Sequence, residues 1–111
     1  MKATELRIGN LVNENGEVIK IRQETLCDFA NGYVVFEPIL LTEEWLLKFG
    51  FYKPSHTWCG DIFHLTEWDE HPLNWCVALD KNGAILVLKL KYVHQLQNLY
   101  FALTGEELEL T

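Results

Sequence analysis

The sequence predicts an α+β domain, and three observations carry that expectation. Short runs rich in β-branched and aromatic residues flank three Asn-Gly pairs, Asn15-Gly16, Asn31-Gly32 and Asn82-Gly83. A brief helical pattern from Thr42 to Gly50 interrupts them, and a longer one closes the chain from Lys91. At 111 residues the chain reads as a single domain, 1–111, able to bury a core without a metal or disulfide staple.

The first Asn-Gly pair predicts a hairpin joining Asn10–Glu14 to Glu17–Arg22, because both residue types tolerate the positive φ of a tight turn. In its second strand Ile19 and Ile21 share one face, with Lys20 and Arg22 on the other. Gly9 would let the chain bend into this strand pair. The second pair predicts another hairpin, Thr25–Phe29 with Tyr33–Glu37, ended by Pro38 for want of an N–H. These N-terminal antiparallel β-hairpins could close into an SH3-like small barrel.

A short helix follows. Thr42 suits the N-cap, Glu43 and Glu44 suit the positive end of the dipole, and Gly50 suits the C′ position. Leu41 and Leu46 stand at staple positions, and Trp45 and Phe49 bury an edge against a sheet. So short a helix needs packing to hold it. Strands return as a β-meander: Thr57–Glu67 as one or two strands, Trp75–Asp80, and Ala84–Leu90 across Lys81-Asn82-Gly83. The apolar run 84–88 marks a covered strand, with the C-terminal helix as its cover. That helix is amphipathic, with Tyr92, Leu96, Leu99, Tyr100 and Leu103 expected on the packed face. His94, Gln95, Gln97 and Asn98 are expected mainly on the polar side, with Gly105 as the stop.

The formal net charge is −7, spread as −2 over residues 1–38, −5 over 39–80 and zero over 81–111. An acidic middle argues against direct binding to a nucleic-acid backbone, which needs Lys and Arg to displace counterions. No run approaches the ~18 apolar residues of a membrane span, and the first residues lack an apolar signal core. Cys27, Cys59 and Cys76 are odd in number and unpaired in spacing. Together these predict a reduced, cytoplasmic protein that makes no membrane contact.

Three segments carry a resemblance: Glu5-Leu-Arg-Ile-Gly-Asn-Leu-Val12, Leu41-Thr-Glu-Glu-Trp-Leu-Leu-Lys-Phe-Gly-Phe51, and the run from Lys91 to Leu108. Together they resemble a family of small uncharacterised proteins encoded by bacteriophages and mobile elements of gut anaerobic bacteria. The segments span roughly a third of the chain but bracket nearly all of it, and Tyr52–Lys89 has no counterpart. The resemblance implies a setting only, that of an accessory protein acting on a host component. It brings no catalytic residues.

Four candidate ligands, His56, Cys59, His71 and Cys76, invite a metal reading, but their spacing has no Cys-x-x-Cys knuckle. Surface histidines and core-facing thiols account for them as well, and no cofactor is predicted. Cys59 with His64, or Asp61 with His64, would face opposite sides of one extended strand, and no nucleophile elbow or phosphate loop is present. The chain is therefore read as no enzyme. Trp58, Trp68 and Trp75 are either core rings or, for Trp58 and Trp68 with Phe63 or His64, the lining of a groove. Trp68, among Glu67, Asp69 and Glu70, is the first choice for an exposed anchor.

The leading expectation is a non-enzymatic binding protein engaging a host protein or a second copy of itself through an aromatic, acidic surface. An alternative is a nucleotide-sequestering protein that holds a base between rings, with Lys53, Lys81, Lys89 and Lys91 as the late cations. Another is an acidic decoy that imitates the charge of DNA. Absence of tryptophan quenching in a nucleotide titration leaves the first unsupported, and loss of partner binding in high salt favours the second.

Overall fold

The computed structural model describes residues 5–53, 58–59, 64–68, 71–78 and 85–110. The architecture is α+β. Its elements run β1 (Leu11–Glu14), β2 (Glu17–Lys20), α1 (Gln23–Ala30), α2 (Glu43–Lys48), β3 (Trp58–Cys59), β4 (His64–Trp68), β5 (His71–Ala78), β6 (Ile85–Leu90) and α3 (Val93–Thr104). They fall into two compact units, Met1–Ile39 with Tyr92–Leu108, and Leu40–Lys91 with Glu109–Thr111.

In the first unit β1 and β2 pair antiparallel, Val12 opposite Ile19 and Glu14 opposite Glu17. Asn15 (φ +52°) and Gly16 (φ +85°) make the turn, both left-handed as a type I′ hairpin needs. Ile21 is buried, Ile19 half-buried, and Lys20 and Arg22 exposed, as the alternation predicts.

The second expected hairpin is not formed. Residues 23–30 are helix α1, so Thr25–Phe29 is not a strand. Asn31-Gly32 is the stop of that helix instead of a hairpin turn. Gly32 takes φ +80°, its N–H bonds Phe29 O at 3.1 Å, and Tyr33 N–H bonds Asp28 O at 2.8 Å. This is the Schellman pattern, which needs the same left-handed residue a hairpin turn needs. At the other end Arg22 N–H donates to Thr25 Oγ1 at 3.2 Å. Leu26 and Phe29, three apart, turn to a core of Leu6, Val12, Ile21 and Phe36, where the Phe29 and Phe36 rings stack at 5.0 Å. Beyond the helix, Glu37 exchanges two backbone hydrogen bonds with Asn13, at 2.8 and 2.9 Å. Glu37 thus bridges to β1 and not to Thr25–Phe29, the partner expected for Tyr33–Glu37.

α3 packs on β1. Tyr92 N–H donates to Gln95 Oε1 at 3.0 Å, the reciprocal half of a capping box. Gly105 (φ +74°) ends the helix, its N–H on Phe101 O at 2.7 Å. The packed face differs from the apolar stripe. Val93, His94, Leu96 and Gln97 are buried, Leu99 and Tyr100 are half-buried, and Leu103 is 45% exposed. Two of the four residues expected on the polar side therefore face inward.

In the second unit α2 follows the sequence closely. Thr42 holds the N-cap position with extended backbone, although its side chain makes no capping bond. Gly50 (φ +86°) closes a second Schellman pattern, with Gly50 N–H on Leu47 O at 3.1 Å and Phe51 N–H on Leu46 O at 3.0 Å. Leu41 and Leu46 are both buried, as a staple requires, and the Trp45 and Phe49 rings lie 6.0 Å apart.

The second sheet runs β3-β4-β5-β6, all antiparallel, as the meander predicts. Its register slips between Glu67 and Trp68, opposite the stretch of β5 that holds Pro72, which has no N–H to give a ladder. Leu65 is fully buried, as are Trp75 and Leu90 to within a few per cent. Trp75 is a core ring, and its indole N–H donates to Leu41 O at 2.9 Å. The turn at Asn82-Gly83 and the side chains of 85–89 lie outside the described residues. Among the described residues no helix is long and apolar enough to cross a membrane.

Candidate functional site

The densest polar cluster lies where the Arg7–Leu11 turn meets α3. Asn10 makes the turn: its Oδ1 accepts Arg7 N–H at 2.7 Å, and its own N–H reaches Arg7 O at 3.0 Å. Gly9 takes φ +100° and gives its N–H to Ile21 O at 2.8 Å. Leu6 and Val12 sink into the core on either side, so the turn is anchored at both ends.

The edge of this turn carries backbone groups that no strand covers, and α3 covers them with amides. Gln97 Oε1 accepts Leu11 N–H at 2.8 Å, while Gln97 Nε2 donates to Gly9 O at 3.2 Å. One carboxamide thus does what a neighbouring peptide would do in a ladder. Asn10 Nδ2 donates to Asn98 Oδ1 at 2.8 Å, and Asn98 Nδ2 donates to Glu5 O at 2.9 Å. Asn10 is fully buried and Gln97 is 2% exposed. Buried amides this well satisfied fix position, since an apolar contact alone would let the helix slide.

Arg7 closes the far side. Its guanidinium pairs with both Glu107 carboxylate oxygens, lies 4.1 Å over the Phe101 ring, and donates to Ile8 O at 3.1 Å. A Cβ on Gly9 would come within 3.1–3.3 Å of the Glu107 carboxyl, so glycine leaves room for that carboxylate. Arg7 Nε is buried with no hydrogen-bond partner among the described residues.

His94 is 1% exposed at the start of α3. Its ring stacks on Tyr92 at 5.7 Å, and Nε2 lies 4.0 Å from Glu5 Oε2. Burial holds its pKa below the ordinary 6.5, against the opposing pull of the Glu5 carboxylate. Sequence reasoning set His94 and Gln97 on the solvent side. The available signal was their spacing of three, which places them beside Val93 and Leu96 as readily as Asn98 and Gln95.

The residues expected to form a site are distributed as follows. Backbone register sets Trp58 opposite Leu65 and Cys59 opposite His64. Trp68 faces His71 across the end of the β4–β5 hairpin, beyond the register slip. The side chains of Trp58, His64 and Trp68, and all of Phe63, lie outside the described residues. Of the metal candidates, Cys59 is half-buried and is bridged through its backbone to Tyr52. Cys76 stands opposite Thr66. His56 and the side chains of His71 and Cys76 lie outside the described residues. Among the described residues no three His, Cys, Asp or Glu side chains converge.

A second feature is the outer side of α2 and the segment after it. With Leu46 inward, Glu43, Glu44 and Leu47 face out. Leu47 is 58% exposed and Tyr52 62%. Lys53 Nζ lies 3.9 Å from Glu43, which ties the segment carrying Tyr52 to the first turn of the helix. Lys48 lies 3.7 Å from Glu44 and 4.6 Å over the Trp45 ring. Exposed Leu47 and Tyr52 thus share this segment with the Glu43–Lys53 and Glu44–Lys48 pairs, within the most acidic third of the chain.

Compared with known protein families, curated proteins and solved structures, the chain matches none.

Proposed function

We propose that this chain is a non-enzymatic accessory binding protein of a phage or mobile element. It acts in the cytoplasm and engages a host protein, or a second copy of itself, through an aromatic, acidic surface. The observation that carries the reading is the outer side of residues 43–52. Leu47 and Tyr52 are each more than half exposed, and the exposed Glu43 and Glu44 lie one turn before Leu47 on α2. Exposed large apolar groups ringed by charge are the composition of a protein-binding patch, with tyrosine among the residues that carry most binding energy. The resemblance of residues 5–12, 41–51 and 91–108 to the phage-encoded family supports the setting. The net charge of −7 disfavours direct contact with a nucleic-acid backbone or an anionic membrane surface.

The double variant Leu47→Glu, Tyr52→Ala tests the reading. Both side chains are exposed, so the melting temperature should move by no more than a few degrees. Tagged parent and variant are used for quantitative cross-linked capture from host cells, with sedimentation to count copies. A polypeptide, host-derived or a second copy, held by the parent and reduced at least tenfold by the variant is the expected result. Equal capture by both proteins overturns the reading.

A further inference from the structure

We infer that His94 is an acid-sensitive latch that fixes the first turn of α3 on the Arg7–Leu11 turn at neutral pH and releases it on acidification. The geometry favours the neutral imidazole. His94 is 1% exposed, and Nδ1 is buried with no hydrogen-bond partner among the described residues. A neutral ring can leave Nδ1 as a bare acceptor at modest cost. An imidazolium puts a proton on both nitrogens, and the proton on Nδ1 then meets no acceptor among the described residues.

The charged groups around the ring act in both directions. From the segment before β1, Glu5 offers a carboxylate to Nε2 at 4.0 Å, beyond hydrogen-bond reach and half exposed, so its attraction is screened. From the segment before α3, Tyr92 supplies a stacked ring. The positive charge of the chain's amino terminus opposes protonation. So does the N-terminal end of α3, whose first-turn N–H dipoles disfavour a cation at its second residue. Burial outweighs Glu5, and the net direction is a lowered pKa.

The sign of the linkage follows. The unfolded or locally opened histidine binds a proton near pH 6.5, and the docked one binds it only at lower pH. Between those values the open state holds more protons, so docking is complete above about pH 6.5 and weakens as pH falls toward the docked pKa. Each unit by which the docked value lies below the open one favours opening tenfold. One turn further along the helix, the Gln97 and Asn98 amides hold Gly9, Asn10 and Leu11. Release of the first turn therefore bares the polar edge of the hairpin.

Amide hydrogen exchange, normalised for the intrinsic pH dependence, compares pH 7.5 with pH 5.0. Protection at Leu11, Leu96 and Gln97 should be lower at pH 5.0 than at pH 7.5, while Val12 and Ile19 in the hairpin ladder keep theirs. In the His94→Phe variant, which retains a ring and cannot be protonated, that fall should vanish. The Glu5→Gln variant guards against a phenylalanine chain that does not fold. Without the carboxylate, the His94 nitrogen-15 titration should move to lower pH and the fall at pH 5.0 should grow. A His94 titration at an ordinary 6.5 in the folded protein overturns the inference. So does equal normalised protection at both pH values.

Discussion

Replacing Gln97 by leucine isolates the contribution of one buried amide to the docking of α3. The side chain volumes are similar, so the change is chiefly one of hydrogen bonding. Leu11 N–H loses its 2.8 Å acceptor and Gly9 O loses its 3.2 Å donor, in a site where Gln97 is 2% exposed. An unsatisfied buried backbone group costs about 1–3 kcal/mol. Two such groups, offset by about 1 kcal/mol for the added apolar burial, give a net loss of about 1–5 kcal/mol. For a chain of this size that is a fall in melting temperature on the order of 10 °C. Urea unfolding followed by circular dichroism measures the total, and exchange at the Leu11 amide reports the lost acceptor directly. Gln97→Glu should lose more than Gln97→Leu at pH 7, because it buries a charge and turns an oxygen toward Gly9 O. A loss below about 0.5 kcal/mol for Gln97→Leu, with Leu11 protection unchanged, would refute the reasoning.

Other perturbations test neighbouring pieces of the same unit. Glu107→Gln removes the carboxylate from Arg7 in a pair whose side chains are 26% and 36% exposed, so it should cost no more than about 1 kcal/mol. Denaturation at low and at 1 M salt should show that difference shrinking as the pair is screened. Gly32→Ala should cost about 1–2 kcal/mol by calorimetry. A Cβ there meets nothing within 4 Å, so the whole effect is the φ of +80° that ends α1.

The second Asn-Gly pair shows how far local signals reach. Asn31-Gly32 announces a left-handed residue, and the chain supplies one, but a hairpin turn and a helix stop make the same demand. The flanking residues 23–30 contain Val-free, helix-tolerant Gln-Glu-Thr-Leu-Cys-Asp-Phe-Ala, with Leu26 and Phe29 at helical spacing. Whether those two rows of side chains meet the core as a strand or as a helix depends on Leu6, Val12, Ile21 and Phe36 arriving from elsewhere. By contrast Asn15-Gly16 joins two alternating strands and forms the type I′ turn it predicts. α2 is legible throughout, because its cap position, staple and glycine stop all lie within eleven residues of sequence.

The proposed binding surface lies apart from the residues that sequence singled out, whose side chains lie outside the described residues. Composition places an aromatic, acidic surface in the middle third of the chain, and tryptophans drew attention to residues 58–68. Exposure at Leu47 and Tyr52 could not be read from pattern, since Leu46 and Phe51 beside them are buried and equally apolar. Which of two adjacent apolar residues faces water is set by the orientation of a short helix against its sheet.

By itself the sequence determined the α+β class, the first hairpin, the meander order, both helices it placed and the three glycines that terminate or turn them. Each depends on backbone sterics and periodicity within a few residues, which any chain carries locally. Tertiary structure alone decided that 23–30 is helical and that α3 turns Gln97 and His94 inward beside Leu96. The reason is that a polar side chain is buried only where partners from distant sequence wait for it. Gly9 and Leu11, more than eighty residues away, supply those partners for Gln97.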